Sequence, residues 1–141
     1  MITKDEKLKK KYSHELLTYA DLEIVGDLIQ LLKPFQELTV LISASQYVTS
    51  SIVLPAVTRL MEVLMLYEAS NGTAFLQDLA VKMHDDLKDR TKTYFDNKLL
   101  LTATYLDPRY RSLLFIKDEN IRNRALFDAS SYIKSLYKKY W

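Results

Sequence analysis

Three aspartates in the segment DDLKD have the residue type and spacing of a metal site. Asp85 and Asp89 are four residues apart, so in a helix they lie on one face, with Asp86 beside them. Carboxylate oxygens are hard ligands that suit Mg²⁺, and a bound Mg²⁺ can in turn hold a diphosphate. The segment therefore raises the hypothesis of magnesium-dependent chemistry on a diphosphate ester.

The surroundings of these aspartates favour a solvated charged surface instead. Basic residues follow and precede them closely: Lys82, Lys88, Arg90 and Lys92. The pattern resembles the aspartate-rich motif of helical terpene synthases and prenyltransferases, but a second acidic motif is missing and mixed charge runs usually face solvent. A magnesium-dependent prenyl-diphosphate enzyme using DDLKD is a remote alternative. We expect no catalytic residue, no metal ligand and no cofactor.

Other catalytic arrangements have no support in the residue types. The chain has no cysteine, which excludes a disulfide framework, a cysteine nucleophile and cysteine-based zinc sites. His14 and His84 have no partner at metal-ligand spacing, and Gly26 and Gly72 are too far apart to form a phosphate-binding loop. These residue types therefore offer no candidate active site of these kinds.

Basic and aromatic residues occur together at two places, a combination that nucleic-acid surfaces use. The candidate DNA contacts are Lys7, Lys9, Lys10, Lys11, Lys138 and Lys139. A competing interpretation is that four residues form a core-facing helix stripe, with the adjacent lysines complementing the helix dipole. The four are Ile133, Leu136, Tyr137 and Tyr140. Because the formal net charge is only +2, DNA binding is expected to be weak and non-specific.

Length and composition indicate one globular domain. The chain has 141 residues, 48% of them hydrophobic and 27% charged, with only 2 glycines and 3 prolines. A chain of this size buries roughly two thirds of the surface that its unfolded form exposes. We expect residues 1–17 to be a charged lead-in with a weak helix and residues 18–141 to be a single helical domain. No window offers the ~18 uncharged apolar residues of a membrane span, so no membrane contact is expected. The absence of cysteine fits an intracellular compartment best.

Capping signals and periodicity predict most helix boundaries. Thr18 and Asp21 have the spacing of a capping box, so a helix is expected from about Tyr19 to about Ala44, with Pro34 inside it. The spacings of 3 and 4 give this helix one broad apolar face. Its members are Leu22, Val25, Leu28, Ile29, Leu32, Phe35, Leu38, Leu41 and Ile42.

The remaining segments carry weaker or mixed signals. Thr49 or Ser50 can cap a second helix that ends before Asn71, and Thr73 can cap a third through about Asp96. A last helix is expected from about Glu119 to Tyr140. Residues 98–106 fit an extended segment or a buried helix end, and periodicity does not decide between them. The expected fold class is all-α, a bundle of about four to six helices.

Asp107 precedes a proline, which is the arrangement of a helix start. Proline disfavours helical geometry in the residue before it and suits the first position of a helix. We therefore interpret Asp107 as the N-cap of a short helix from Pro108 to about Phe115, a structural cap like Thr18 and Thr49.

Three longer segments, taken together, resemble successive landmarks of the hAT superfamily of transposases and of the zinc finger BED domain-containing proteins derived from them. The segments are LLKPFQELTVLISAS, YVTSSIVLPAV and LDPRYRSLLF, within a matched region from about Thr18 to Phe115. The residues that carry the resemblance are Leu31, Leu32, Pro34, Phe35, Thr39, Ser43, Tyr47, Thr49, Leu54, Pro55, Leu106, Asp107, Pro108 and Arg109. Val48 departs from the family pattern, which usually has proline after the tyrosine.

The resemblance implies a helical domain that is inserted in a ribonuclease H-like catalytic core. Nothing in the chain matches the segments with the catalytic Asp, Asp and Glu residues, the BED finger or the C-terminal dimerisation segment. The implied function is therefore a non-catalytic fragment of a nuclear, DNA-binding protein that supports DNA engagement or assembly of its parent. Its implied partners are the remainder of the parent, weakly bound DNA and, as a further alternative, a second copy. A stand-alone helical protein-interaction module is the competing hypothesis.

Overall fold

The computed structural model describes residues 18–43, 50–70 and 73–140, and within these ranges the chain forms helices and no strand. The helices are α1 (Tyr19–Ser43), α2 (Val53–Glu68), α3 (Ala74–Thr91), α4 (Lys98–Leu106) and α5 (Glu119–Tyr140). The prediction of an all-α fold is confirmed. No helix in the described part of the chain is both long enough and apolar enough to cross a membrane.

Local capping accounts for the start of four helices. At α1, the Thr18 backbone N–H donates to Asp21 at 2.8 Å, and the Asp21 backbone N–H donates to the Thr18 hydroxyl at 3.2 Å. The Thr73 hydroxyl accepts from the Leu76 backbone N–H at 3.4 Å at the start of α3. Helices α4 and α5 are capped by the residue just before their first residue. The Asn97 side chain accepts a backbone N–H of α4, and the Asp118 side chain accepts a backbone N–H of α5. Each cap satisfies donors that a helix end leaves unpaired.

The start of α2 differs from the sequence prediction. Ile52 occupies the N-cap position and its own side chain makes no cap hydrogen bond, so Ser50 is not the N-cap residue of α2. Thr49 itself lies outside the described residues. Pro55 is the third residue of α2, where its missing N–H costs no helical hydrogen bond.

Two separate hydrophobic cores share helix α2. The first joins α2, α4, α5 and the segment between the last two through Leu54, Leu101, Leu113, Ile116 and Ala129. The second joins α1, α2 and α3 through Leu31, Leu64, Leu76 and Ala80. Among the described residues, α2 is the helix that supplies buried side chains to both cores. It therefore connects the α1–α3 half of the fold to the α4–α5 half.

The segment that periodicity left undecided, residues 98–106, is helix α4. Asn97 accepts backbone N–H groups from Leu99 at 3.0 Å and Leu100 at 3.2 Å and so caps this helix. The third helix is shorter than predicted, because α3 ends at Thr91 and residues 92–96 form turns. In these turns Tyr94 and Phe95 pack against the first core, so tertiary packing takes precedence over helical periodicity there.

The predicted short helix from Pro108 to Phe115 is wrong. Residues 108–112 and 114–115 form turns, and Leu113 between them has a φ of 50° while its side chain is fully buried. A left-handed backbone is unfavourable for a branched residue such as leucine and interrupts a right-handed helix. Burial of Leu113 in the first core offsets this local cost, and helical periodicity does not report such a contact.

The broad apolar face predicted for α1 is only partly covered. Leu31 is fully buried, and Leu28 and Phe35 pack beside it in the second core. The opposite side is exposed, with exposed fractions of 54% for Leu22 and 60% for Ile29. Periodicity located apolar residues correctly but did not reveal that they lie on two sides of the helix.

The C-terminal half of α5 extends beyond the helix that it packs against. At 1.5 Å per residue, the 9 residues of α4 span about 13 Å, whereas the 22 residues of α5 span about 33 Å. Tyr137 and Tyr140 are exposed, at 67% and 69%, so the interpretation of these residues as core is wrong. Helix α4, against which α5 packs, is too short to cover them.

One buried hydroxyl on α4 lacks a hydrogen bond. The Thr102 hydroxyl oxygen is buried and has no partner among the described residues, whereas the Thr104 hydroxyl donates to the Leu100 carbonyl at 2.9 Å. An unsatisfied buried hydroxyl costs roughly 1–3 kcal/mol. We expect Thr102→Val to raise the free energy of unfolding by about 1 kcal/mol and Thr104→Val to lower it. Urea denaturation of both variants checks this, and destabilisation by Thr102→Val would contradict it.

Candidate functional site

Asp107 joins two parts of the chain that lie 56 residues apart in sequence. The Ser51 hydroxyl, just before α2, donates to Asp107 Oδ2 at 2.7 Å. The Arg109 backbone N–H and Nε each donate to Asp107 Oδ1 at 3.0 Å, and Arg109 Nη2 donates to Oδ2 at 2.7 Å. We call Ser51, Asp107 and Arg109 the Asp107 cluster. Its carboxylate caps the turn after α4, rather than a helix, and ties that turn to the start of α2.

The environment of Asp107 strongly favours its ionised form. Hydrogen bonds from the Arg109 side chain and then from the Ser51 hydroxyl hold the pKa of Asp107 well below its usual range. The same ion pair raises the pKa of Arg109 above its ordinary value. Only 11% of the Asp107 side-chain surface is exposed, so both oxygens are committed to these partners. A carboxylate this hard to protonate is unsuited to general acid catalysis near neutral pH.

An apolar groove lies beside the Asp107 cluster, between the C-terminal half of α1 and the N-terminal half of α2. Its volume is about 440 Å³. All three segments that carry the sequence resemblance contribute to its lining, the first with Pro34, the second with Pro55 and the third with Tyr110. The groove also includes Leu38, Leu41, Ile52, Ala56, Leu60 and Val63, with Glu37 and Arg59 as charged members. We call it the α1–α2 groove.

A second apolar cavity of about 500 Å³ lies between α2, the end of α3 and the start of α5. Two methionines of α2, Met61 and Met65, line it together with Phe95 and Phe115. A salt bridge between Lys117 Nζ and Glu62 Oε1, at 3.2 Å, lies at its edge. Methionine side chains adapt to irregular shapes, so this cavity can accommodate apolar groups but has few polar atoms to orient a reacting molecule.

The aspartates of DDLKD lie on α3, and two of the three have a basic or imidazole side chain nearby. Asp86 accepts from Arg90 Nε at 2.7 Å, and Asp85 lies 3.7 Å from His84 Nδ1. In the ranges that the structure describes, no three acidic or histidine side chains are grouped so that they could hold a metal ion. The arrangement is that of exposed salt bridges along a helix, each of which contributes little to stability.

The candidate DNA contacts are only partly within the described structure. Lys138 and Lys139 are exposed in the last turn of α5, where Lys139 Nζ lies 5.3 Å from the ring centre of Tyr140. Lys7, Lys9, Lys10 and Lys11 lie outside the described residues. The two basic regions are therefore not shown to form one surface.

Ser51 was not singled out from the sequence, although it is a central member of the Asp107 cluster. It lies in a serine-rich linker whose residues have the same local signals, so only the tertiary contact distinguishes it. Arg109 carried a usable signal, because an aspartate two residues before an arginine can accept both its backbone N–H and its guanidinium.

Comparison of the chain with family models found no match, and comparisons with curated proteins and with solved structures found no significant match either.

Proposed function

We propose that this chain is a non-catalytic helical domain of an hAT transposase-like, DNA-binding nuclear protein, and that it supports DNA engagement or assembly of that protein. The proposal starts from the sequence resemblance of residues 31–45, 47–57 and 106–115. The resemblance also implies that the ribonuclease H-like catalytic core lies elsewhere in the parent protein.

The structural observation that most strongly supports the proposal is the position of the three resembling segments. The three resembling segments are separated in sequence, yet the described parts of all three meet around the α1–α2 groove and the Ser51–Asp107 hydrogen bond. Segments with a shared structural role are expected to lie together. A chance resemblance at three sites would not require them to meet.

The exposed apolar surface favours a packing role over an enzymatic one. Leu22, Ile29 and Val40 on α1 and Phe127 on α5 are all more than half exposed. Apolar residues that recur on one helix face usually mark a contact with another protein element. The same surface is compatible with the competing function, a stand-alone protein-interaction module.

The reading frames that flank this chain discriminate between the two functions. A ribonuclease H-like segment with catalytic Asp, Asp and Glu residues, encoded on both sides of residues 1–141, supports the inserted-domain proposal. Flanks without such segments favour the stand-alone module.

The isolated chain should bind duplex DNA weakly and without sequence preference. Its few lysines can neutralise only a handful of phosphates, so we expect a dissociation constant of roughly 10⁻⁴–10⁻⁶ M at physiological salt. Fluorescence anisotropy at about 50 and 200 mM salt measures this, and affinity should fall steeply at the higher salt.

Two variants locate the DNA contact. Lys138→Glu with Lys139→Glu should weaken binding, while Lys82→Glu with Lys88→Glu on α3 serves as a control with the same charge change. Equal loss in both pairs would indicate only a general charge effect. Tight binding to one particular sequence would contradict the proposed role of this domain.

A further inference from the structure

The second apolar cavity, between α2, the end of α3 and the start of α5, has the size and lining of a small-molecule site. Its volume of about 500 Å³ lies within the range of roughly 300–1,000 Å³ that is typical of ligand pockets. Its apolar lining consists of Met61, Met65, Phe95, Phe115, Ile116 and Ile121. We call it the methionine cavity.

The two methionines give the cavity an adaptable wall that reaches the solvent. Met61 and Met65 are one helical turn apart on α2, so their side chains lie side by side. Met61 is half-buried, whereas Met65 is 55% exposed and lies at the mouth of the cavity. Methionine side chains adjust to irregular shapes and make favourable contacts with aromatic rings. A ligand can therefore enter from solvent and be fitted closely.

The charged side chains at the edge of the cavity already have partners. Lys117 Nζ lies 3.2 Å from Glu62 Oε1, and Arg59 Nη1 lies 3.4 Å from Glu62 Oε2. Asp118 Oδ1 accepts the Ile121 backbone N–H at 3.0 Å at the start of α5. A charged ligand would lose its hydration here without gaining a dedicated counter-charge, which is costly. The lining therefore favours an uncharged ligand.

Two polar side chains in the lining can orient such a ligand. The side chain of His84, on α3, is 19% exposed, and an imidazole nitrogen can take part in a hydrogen bond. The Thr58 hydroxyl donates to the Leu54 carbonyl at 3.0 Å, so its oxygen can still accept. A few polar groups in an apolar pocket fix orientation and specificity. One or two hydrogen-bonding groups on the ligand match this lining.

The cavity by itself is too small to be the contact surface of another protein. A sphere of the same volume has a surface of about 300 Å², whereas a stable protein interface buries about 800 Å² of each partner. A small molecule, by contrast, can bury most of its surface in a pocket of this volume. The size therefore favours a small molecule over a partner chain.

From the volume, the apolar lining and the paired charges we infer that the methionine cavity binds an uncharged, mostly apolar small molecule with one or two hydrogen-bonding groups. The apolar body of the ligand contacts the two methionines and the two phenylalanines, and its polar group lies near His84 and Thr58. This inference does not depend on the proposed function, since it involves neither DNA nor a parent protein.

Two fluorescent dyes with the same ring skeleton test the inference on the full chain. N-phenyl-1-naphthylamine is uncharged and has a single N–H group, and 8-anilino-1-naphthalenesulfonate adds one sulfonate to that skeleton. We expect the uncharged dye to saturate a single site per chain and the sulfonate to bind at least about tenfold more weakly. Fluorescence titration gives both dissociation constants. The inference is overturned if the uncharged dye does not saturate or if the sulfonate binds equally well.

A carboxylate placed at the mouth of the cavity locates the binding site. Met65→Glu puts a charge beside the apolar ligand and should weaken the uncharged dye at least about tenfold. Leu66→Glu is the matched control, because Leu66 is 65% exposed and does not line the cavity, so affinity should stay unchanged. Circular dichroism should show both variants folded, since both positions are exposed. Equal affinities of the two variants for the dye contradict binding in the methionine cavity.

Nuclear magnetic resonance of the methionine methyl groups gives a second measurement that needs no substitution. A bound aromatic dye shifts the resonances of methyl groups near its rings, so those of Met61 and Met65 should move during titration. Met83 is the internal control, because it packs against the second core. Shifts at Met83 as large as those at Met61 and Met65, or no shift at either of these two, overturn the inference.

Discussion

Leu64→Ala is expected to lower the free energy of unfolding by about 2–5 kcal/mol, the range for truncating a buried leucine to alanine. Leu64 on α2 has no exposed surface and packs with Leu31, Leu76 and Ala80. The substitution therefore leaves a cavity where three helices meet. Because small domains are typically stable by only 5–15 kcal/mol, such a loss is a large share of the total.

Leu66→Ala provides a matched control on the same helix. Leu66 is 65% exposed, so the same truncation should change the free energy of unfolding by less than about 0.5 kcal/mol. Urea denaturation followed by circular dichroism measures both variants. Since α2 serves both cores, we also expect Leu64→Ala to retain a single transition. Similar losses for the two variants, or two separate transitions, would contradict the shared-helix description.

Asp107→Ala is expected to destabilise the fold more than any other substitution of an aspartate in the described residues. It leaves the Ser51 hydroxyl and the Arg109 guanidinium without the acceptor that they share. Asp107→Asn keeps an acceptor oxygen but loses the ion pair, so its midpoint temperature should lie between those of the alanine variant and the unmodified chain. Asp89→Ala, an exposed aspartate on α3, should leave the midpoint unchanged.

The stabilisation by Asp107 should depend on pH with a defined sign. Its pKa is lower in the folded chain than in the unfolded one, so the carboxylate stabilises the fold above the ordinary aspartate value of about 4. The gap in midpoint temperature between the unmodified chain and Asp107→Asn should be widest near pH 7. It should close as the pH falls below about 4. A gap that widens in acid would contradict this.

A double-mutant cycle tests whether Asp107 acts through Ser51. Ser51→Ala and Asp107→Ala remove the same hydrogen bond, so their combined effect on the free energy of unfolding should be smaller than the sum of the separate effects. Full additivity would show that the two residues stabilise the fold independently.

Local signals were sufficient for part of the candidate site. The capping geometry expected of Asp107 depends only on the residues that follow it, and its side chain does accept the Arg109 backbone N–H. The partnership with Ser51 was not predictable, because a hydrogen bond between residues so far apart in sequence leaves no local pattern. The α1–α2 groove was equally hidden, since it forms where three separated segments meet.

The sequence by itself determined the all-α class, the start of α1 at Tyr19 and the bounds of α5 at Glu119 and Tyr140. These features follow from caps and helical periodicity, which act over a few residues. The tertiary structure alone decided that residues 108–115 form turns and that Leu113 adopts a left-handed backbone to reach the core. It also decided which apolar side of α1 is buried and which is exposed, because periodicity reports that a side chain is apolar but not whether its partner belongs to the same chain.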